Sequence, residues 1–229
     1  MYRLRLLALA ALALAGTAFA ASPLAHAQQM GSDRAMVRVV HASPDAPAVD
    51  VWLDGEPAIR DLAFGAFTGH AAVPAGSHRV RVTPAGGQPD SAVIDATLDL
   101  AANKAYTVMA VGRLAEIKPL VLEDDRSAPS GARVRFVHAS PDAPAVDIAV
   151  AGGPVVVSNA GFGQDSGYLD VPTGDVALEV RVAGTDQVVL TVPANFASGY
   201  AYTLAAIGLA AGQPPLQALA MSDTAGRGY

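Results

Sequence analysis

The 229-residue chain has no cysteine, a single tryptophan and few aromatic residues of any kind, 6% in all. Without cysteine there is no disulfide framework and no thiol to carry a lipid, so stability has to come from packing. So few rings leave no extended groove of stacking platforms for a glycan chain. Basic residues are scarce as well: 15 Lys and Arg against 21 Asp and Glu give a formal charge of -6, with no basic run after residue 27. Phosphate backbones are held by clustered Lys and Arg, so nucleic acid is excluded as a partner class. A Gly-x-Ser-x-Gly elbow, a glycine-rich phosphate loop and a zinc-ligand spacing are all missing too. No cofactor is expected.

What is present begins with Arg3 and Arg5, followed by an apolar run from Leu6 to about Ala21. Small residues then recur as Ala18-Phe19-Ala20 and Ala25-His26-Ala27. This pattern predicts a Sec-type signal peptide over residues 1–27, cut after Ala27 where polar Gln28-Gln29 follow. The run falls short of the ~20 apolar residues that a membrane anchor needs. The mature chain is therefore expected to be periplasmic or secreted, with no membrane span.

One ten-residue stretch, His-Ala-Ser-Pro-Asp-Ala-Pro-Ala-Val-Asp, occurs at His41–Asp50 and again, letter for letter, at His138–Asp147. The two copies lie roughly 100 residues apart, the size of a complete small β-domain and too long for a solenoid unit. Two domains follow: a first repeat over 34–125, a linker over 126–131 and a second repeat over 132–222. Polar Asp124 and Asp125, with Pro129 and Gly131, make the connection between them read as solvated linker.

Within each copy, Val37-Arg38-Val39-Val40-His41 and Val134-Arg135-Phe136-Val137-His138 read as strands ending in a histidine on the apolar side. Pro44 and Pro47 lack an N–H and hold the preceding residues extended, so a stiff crossing leads into a second strand at Val49 or Val146. Beyond it, Asp54-Gly55 marks a hairpin. His78-Arg79-Val80-Arg81-Val82 alternates with its arginines on the wet face, as does the stretch from Val93 to Leu100. Tyr106 to Val111 is apolar on both faces, as a central strand is, and Ile117 to Leu122 closes the set. Seven or eight short strands with frequent turns and no helical period predict an all-β fold of two tandem immunoglobulin-like antiparallel β-sandwiches.

The second repeat follows the same plan. Val73-Pro74-Ala75-Gly76 matches Val171-Pro172-Thr173-Gly174, and Tyr106-Thr107-Val108 with Gly112 matches Tyr202-Thr203-Leu204 with Gly208. These turns and strands, with the His-Ala-Ser-Pro-Asp-Ala-Pro stretches, resemble domain-of-unknown-function family 4397 in two tandem copies. The resemblance implies an exported microbial β-sandwich and supplies no catalytic residues.

Each crossing gathers a histidine and two aspartates: His41, Asp45 and Asp50, then His138, Asp142 and Asp147. Their bland reading is architectural, with aspartates capping turns and histidine bonded at a strand end. A metal is the alternative, although three mixed ligands match neither the all-oxygen cage of Ca²⁺ nor a full Zn²⁺ set. Ser43 and Ser140 invite a Ser-His-Asp reading, but a serine before proline is more simply a turn residue. Trp52 offers a different chemistry. With Val51 and Leu53 turned inward, it is expected to point outward between Asp50 and Asp54, as a sugar-binding platform would, or to pack against a loop or the other domain.

The sequence thus predicts no enzyme but an exported, non-catalytic binding or structural module of the cell envelope, its partner an unidentified envelope protein or glycan. The alternatives are a carbohydrate-binding module using Trp52, and an envelope hydrolase or metal-binding protein using the repeated His/Asp stretch.

Overall fold

Along Val37-Arg38-Val39-Val40-His41, valines 37 and 39 face one layer while Arg38 and Val40 face another. Strand geometry turns successive side chains to opposite faces, so a strand apolar on both sides must lie between two packed layers. The computed structural model describes residues 33–225, so the expected signal peptide lies outside the described residues.

The first repeat forms β1 (Arg34–His41), β2 (Val49–Leu53), β3 (Glu56–Leu62), β4 (Ala71–Pro74), β5 (Gly76–Pro84), β6 (Ile94–Leu100), β7 (Ala105–Val111) and β8 (Lys118–Asp124). The second forms β9 (Ala132–His138), β10 (Val146–Val150), β11 (Val155–Ala160), β12 (Asp165–Val171), β13 (Gly174–Val182), β14 (Val188–Phe196), β15 (Tyr200–Ile207) and β16 (Gln217–Ser222). Each repeat is a sandwich of two four-stranded sheets. The orders are β3-β2-β5-β6 with β4-β1-β7-β8, and β11-β10-β13-β14 with β12-β9-β15-β16. All pairings are antiparallel except β1 with β7 and β9 with β15. The hairpin between β2 and β3 turns on Asp54 and Gly55, both at positive φ.

The two sheets holding β1 and β9 pack face to face. Val40, Met109, Val111 and Leu122 of the first repeat form one buried cluster with Val137, Ala205, Ile207 and Met221 of the second. These are the inner sheets of a four-layer stack, and the described residues form one compact unit. Tyr106–Val111 therefore reads as apolar on both faces because β7 is covered twice: Ala110 lies in the core of its own sandwich, and Met109 meets the other repeat. Asp124 departs from its expected place in a solvated linker. It ends β8, and its side chain is wholly buried.

Candidate functional site

The prolines of each crossing carry the chain from an inner sheet to an outer one, and the histidine fastens the loop from beneath. His41 is wholly buried, and its Nε2 donates to the Pro47 carbonyl at 2.9 Å. A carbonyl can only accept, which fixes the proton on Nε2 and leaves Nδ1 to accept weakly from the Ser43 N–H at 3.4 Å. Burial pushes the imidazole below its ordinary value, against the opposing pull of the Pro47 bond. His138 repeats the arrangement with the Pro144 carbonyl at 3.0 Å. Phe64 and Phe162 stand edge-on to the two imidazoles.

The aspartates tie the crossing to other loops. Asp45 accepts from the Leu114 N–H at 2.7 Å, and Asp142 accepts from the N–H groups of Ala210 and Ala211. Those amides follow Gly112 and Gly208, both at positive φ. A Cβ on Gly208 would stand 2.2 Å from the Pro215 carbonyl oxygen, so only glycine fits this turn. Asp50 reaches strand β3 and the turn after β5, accepting from the N–H groups of Asp61 at 2.8 Å and Gly86 at 3.0 Å. Asp147 does the same with Asn159 and Gly184.

These bonds favour the ionised carboxylates. The Asp61 N–H, with Arg60 and Gly86, holds Asp50 below the usual range despite burial, and Asn159 and Gly184 do so for Asp147. Burial works against ionised Asp142, but its two amide donors outweigh it.

The expected ligand sets therefore do not converge. His41 bonds its own loop, Asp45 the turn after β7, and Asp50 strand β3 and the turn after β5, with the same division in the second repeat. Among the described residues, no group of three His, Asp or Glu side chains is placed to hold a metal ion. The serines are not set as nucleophiles either: Ser140 Oγ donates to the Gly208 carbonyl at 2.8 Å, and Ser43 Oγ is buried without a hydrogen-bond partner.

Trp52 requires a correction. It does lie on the face opposite Val51, but it is only 6% exposed and cannot serve as an open platform. Its indole N–H donates to Thr83 Oγ1 at 3.2 Å, and the Arg60 guanidinium covers the ring at 4.4 Å while bonding Asp50 at 2.7 Å. Asp54, the third expected member, turns instead to His78 Nδ1 and the Arg79 N–H. The cover is Arg60 of β3, a neighbouring strand of the same sheet, rather than the loop or other domain that the sequence suggested.

Sequence reasoning passed over a buried polar network that lies between the inner sheets. Arg38, on β1, donates to Thr107 Oγ1, to the Ser222 carbonyl at 3.1 Å and to Asp223 Oδ1 at 2.5 Å. Arg135, on β9, donates to Thr203 Oγ1, to the Glu123 carbonyl at 2.9 Å and to Asp124 Oδ1 at 2.5 Å. Each arginine thus reaches the carboxylate that ends the other repeat, the reciprocal pattern of a two-fold interface. Thr107 and His70 complete Asp124, while Thr203 and Tyr168 complete Asp223. Burial opposes the charge on Asp124, but His70, Arg135 and Thr107 outweigh it and hold the carboxyl below its usual range. The signal available in the sequence was an arginine at the same place in both repeats, on a strand otherwise apolar on both faces.

A family model described as a domain of unknown function (DUF4397) matches residues 35–149 and again residues 132–227. The chain belongs to that family. As a tandem DUF4397 chain it carries the crossing twice, the second copy lying where the two matches overlap. No curated protein matches it. Among solved structures, the Bacillus anthracis TIE protein is similar at 10% identity with a TM-score of 0.24, over 80% of this chain and 34% of that one. No helix among the described residues is long and apolar enough to cross a membrane.

Proposed function

We propose that this chain is an exported, non-catalytic binding module of the cell envelope, in which the repeated His/Asp stretch is scaffold. The observation that carries the reading is where those groups are bonded. Both histidines and all four aspartates engage backbone groups, those of the crossing itself or of the strands and turns beside it. Export is supported by the basic start, apolar run and small-residue cleavage pattern of residues 1–27.

Thermal unfolding in EDTA, then with Ca²⁺ or Zn²⁺, tests the scaffold role in the wild type and in a His41→Ala, His138→Ala variant. A ligand that binds only the folded state raises stability by ~2.7 kcal/mol at a hundredfold excess over its dissociation constant. The expected outcome is no metal effect in either protein and a lower midpoint in the variant. A metal-dependent rise confined to the wild type would sink the reading, as would ester turnover that the variant loses.

A further inference from the structure

Between the two sheets of the first repeat lies a cavity of about 300 Å³. Its walls are aliphatic, with Val39, Val51, Ile59, Val80, Leu98 and Val108 among the lining residues, and no charged or aromatic side chain faces it. Such a chamber leaves the hydrogen-bonding groups of a sugar, peptide or anion unpaired, so the part of any ligand inside it is hydrocarbon. Its volume is about twice the ~150 Å³ that holds benzene in an apolar protein cavity, which sets the content near a dozen carbon atoms.

The second repeat shows that the hollow is not a requirement of the fold. At matching register, Val39 is replaced by Phe136, Val80 by Leu178, Ala96 by Val192 and Val108 by Leu204. The corresponding space there is about 30 Å³. The way in differs as well. Ala58, Gly69 and Ala71 line the chamber yet are exposed, which places its mouth at the edge between β3 and β4. Register puts Val156 at the place of Ala58 and Leu169 at that of Ala71, so larger side chains occupy both sides of this edge in the second repeat.

From the chamber, its mouth and the filled twin we infer that the first repeat binds a single linear hydrocarbon chain of an amphiphile, drawn in between β3 and β4 with its polar end left in water. This rests on the reading of the chain as a non-catalytic binding module and names the class of its ligand.

The test is calorimetric titration of the purified chain with dodecanoate below its micelle concentration, followed by mass measurement of the recovered ligand. Two variants fill the chamber with residues the second repeat already uses: Val39→Phe, and Val80→Leu with Val108→Leu. The expected result is saturable binding at one site, weakened at least tenfold in both variants while their thermal midpoints hold or rise. Absence of saturable binding, or equal affinity in the filled variants, overturns the chamber as the site. A ligand recovered chemically altered would leave the chamber standing and overturn the non-catalytic reading. A second arm offers a dodecanoyl lipid in phosphatidylcholine vesicles. Uptake from water alone assigns a free amphiphile, uptake from both assigns membrane lipid too, and uptake from neither overturns the inference.

Discussion

Val39 and Phe136 occupy the same place on the same strand of two repeats, yet one borders a cavity of about 300 Å³ and the other helps to leave only about 30 Å³. Arg38 and Arg135, their neighbours on the opposite face, do the same job in both repeats, each donating at 2.5 Å to the carboxylate that ends the partner repeat. The crossings likewise repeat the bond from histidine Nε2 to a proline carbonyl, at His41 and at His138. The contrast separates two kinds of position. The histidines and aspartates of the crossings and the arginines that join the repeats are the same in both copies, whereas several positions facing the sandwich interior differ in volume. At ~24 cal/mol per Å³, an empty space of the first repeat's size would cost on the order of 7 kcal/mol, comparable with the ~5–15 kcal/mol by which whole domains are stable. An interior left this hollow beside a filled twin calls for an occupant.

The largest effect is expected where the repeats agree. Arg38→Met leaves Asp223 buried without its guanidinium, and Arg135→Met does the same to Asp124, so each is expected to lower unfolding stability by about 3–5 kcal/mol. Urea denaturation of the two variants measures both losses. Near-equal values support a symmetric seam, and a loss confined to one variant breaks the symmetry. Joining Arg38→Met with Asp223→Leu removes both charges and is expected to recover most of the deficit, because desolvation of the pair offsets much of its attraction.

The next effect sharpens the difference between the interiors. Phe136→Val carves into the filled core and is expected to cost about 2 kcal/mol, between the usual losses for Ile→Val and Phe→Ala. Val39→Phe goes the opposite way, placing a ring where space already exists, and is expected to be neutral or stabilising by about 1 kcal/mol. Thermal or urea unfolding reads both. A large loss from Val39→Phe would mean that the first repeat cannot accept the packing of the second.

Much of this arrangement was legible in the sequence, and what was hidden shares a cause. The valine and arginine alternation of His78–Val82 marks a half-exposed strand, and the structure extends it to Gly76–Pro84. The face of Trp52 also follows from a period of two, but its cover does not. That cover is Arg60, placed there by a carboxylate on a neighbouring strand, and alternation along one strand carries no trace of it. Arg38 is the extreme case: read along β1 it resembles any wet-face arginine, and its partner carboxylate lies 185 residues away. Asp124 misleads in the same way, since a polar strand end reads as linker until another layer packs over it. Local pattern specifies which way a side chain points. What stands in front of it is decided by layers that meet only when the chain is folded.

The smallest effect distinguishes the crossings by their protons. His41 Nδ1 accepts from Ser43, whereas His138 Nδ1 is buried without a hydrogen-bond partner. Desolvation lowers the folded value of His41 beneath its ordinary 6.5, with the Pro47 bond opposing, so below that pH the unfolded chain binds more protons at this site than the folded one. The stability His41 contributes is therefore fully present above pH 6.5 and is lost as pH falls from there towards its folded value. His78 works in the opposite sense, because its bond to Asp54 raises its value, so a wild-type curve alone mixes the two. Comparing wild type with His41→Gln at matched pH isolates the first. The stability advantage of the wild type is expected to shrink as pH drops below 6.5, and an advantage that stays constant would show that His41 does not titrate with unfolding. Below 3.8 a separate loss sets in as Asp50, Asp124, Asp142 and Asp147, all held low in the fold, take up protons. His41→Gln should leave that second loss unchanged, because the scaffold bonds of those carboxylates do not pass through the imidazole.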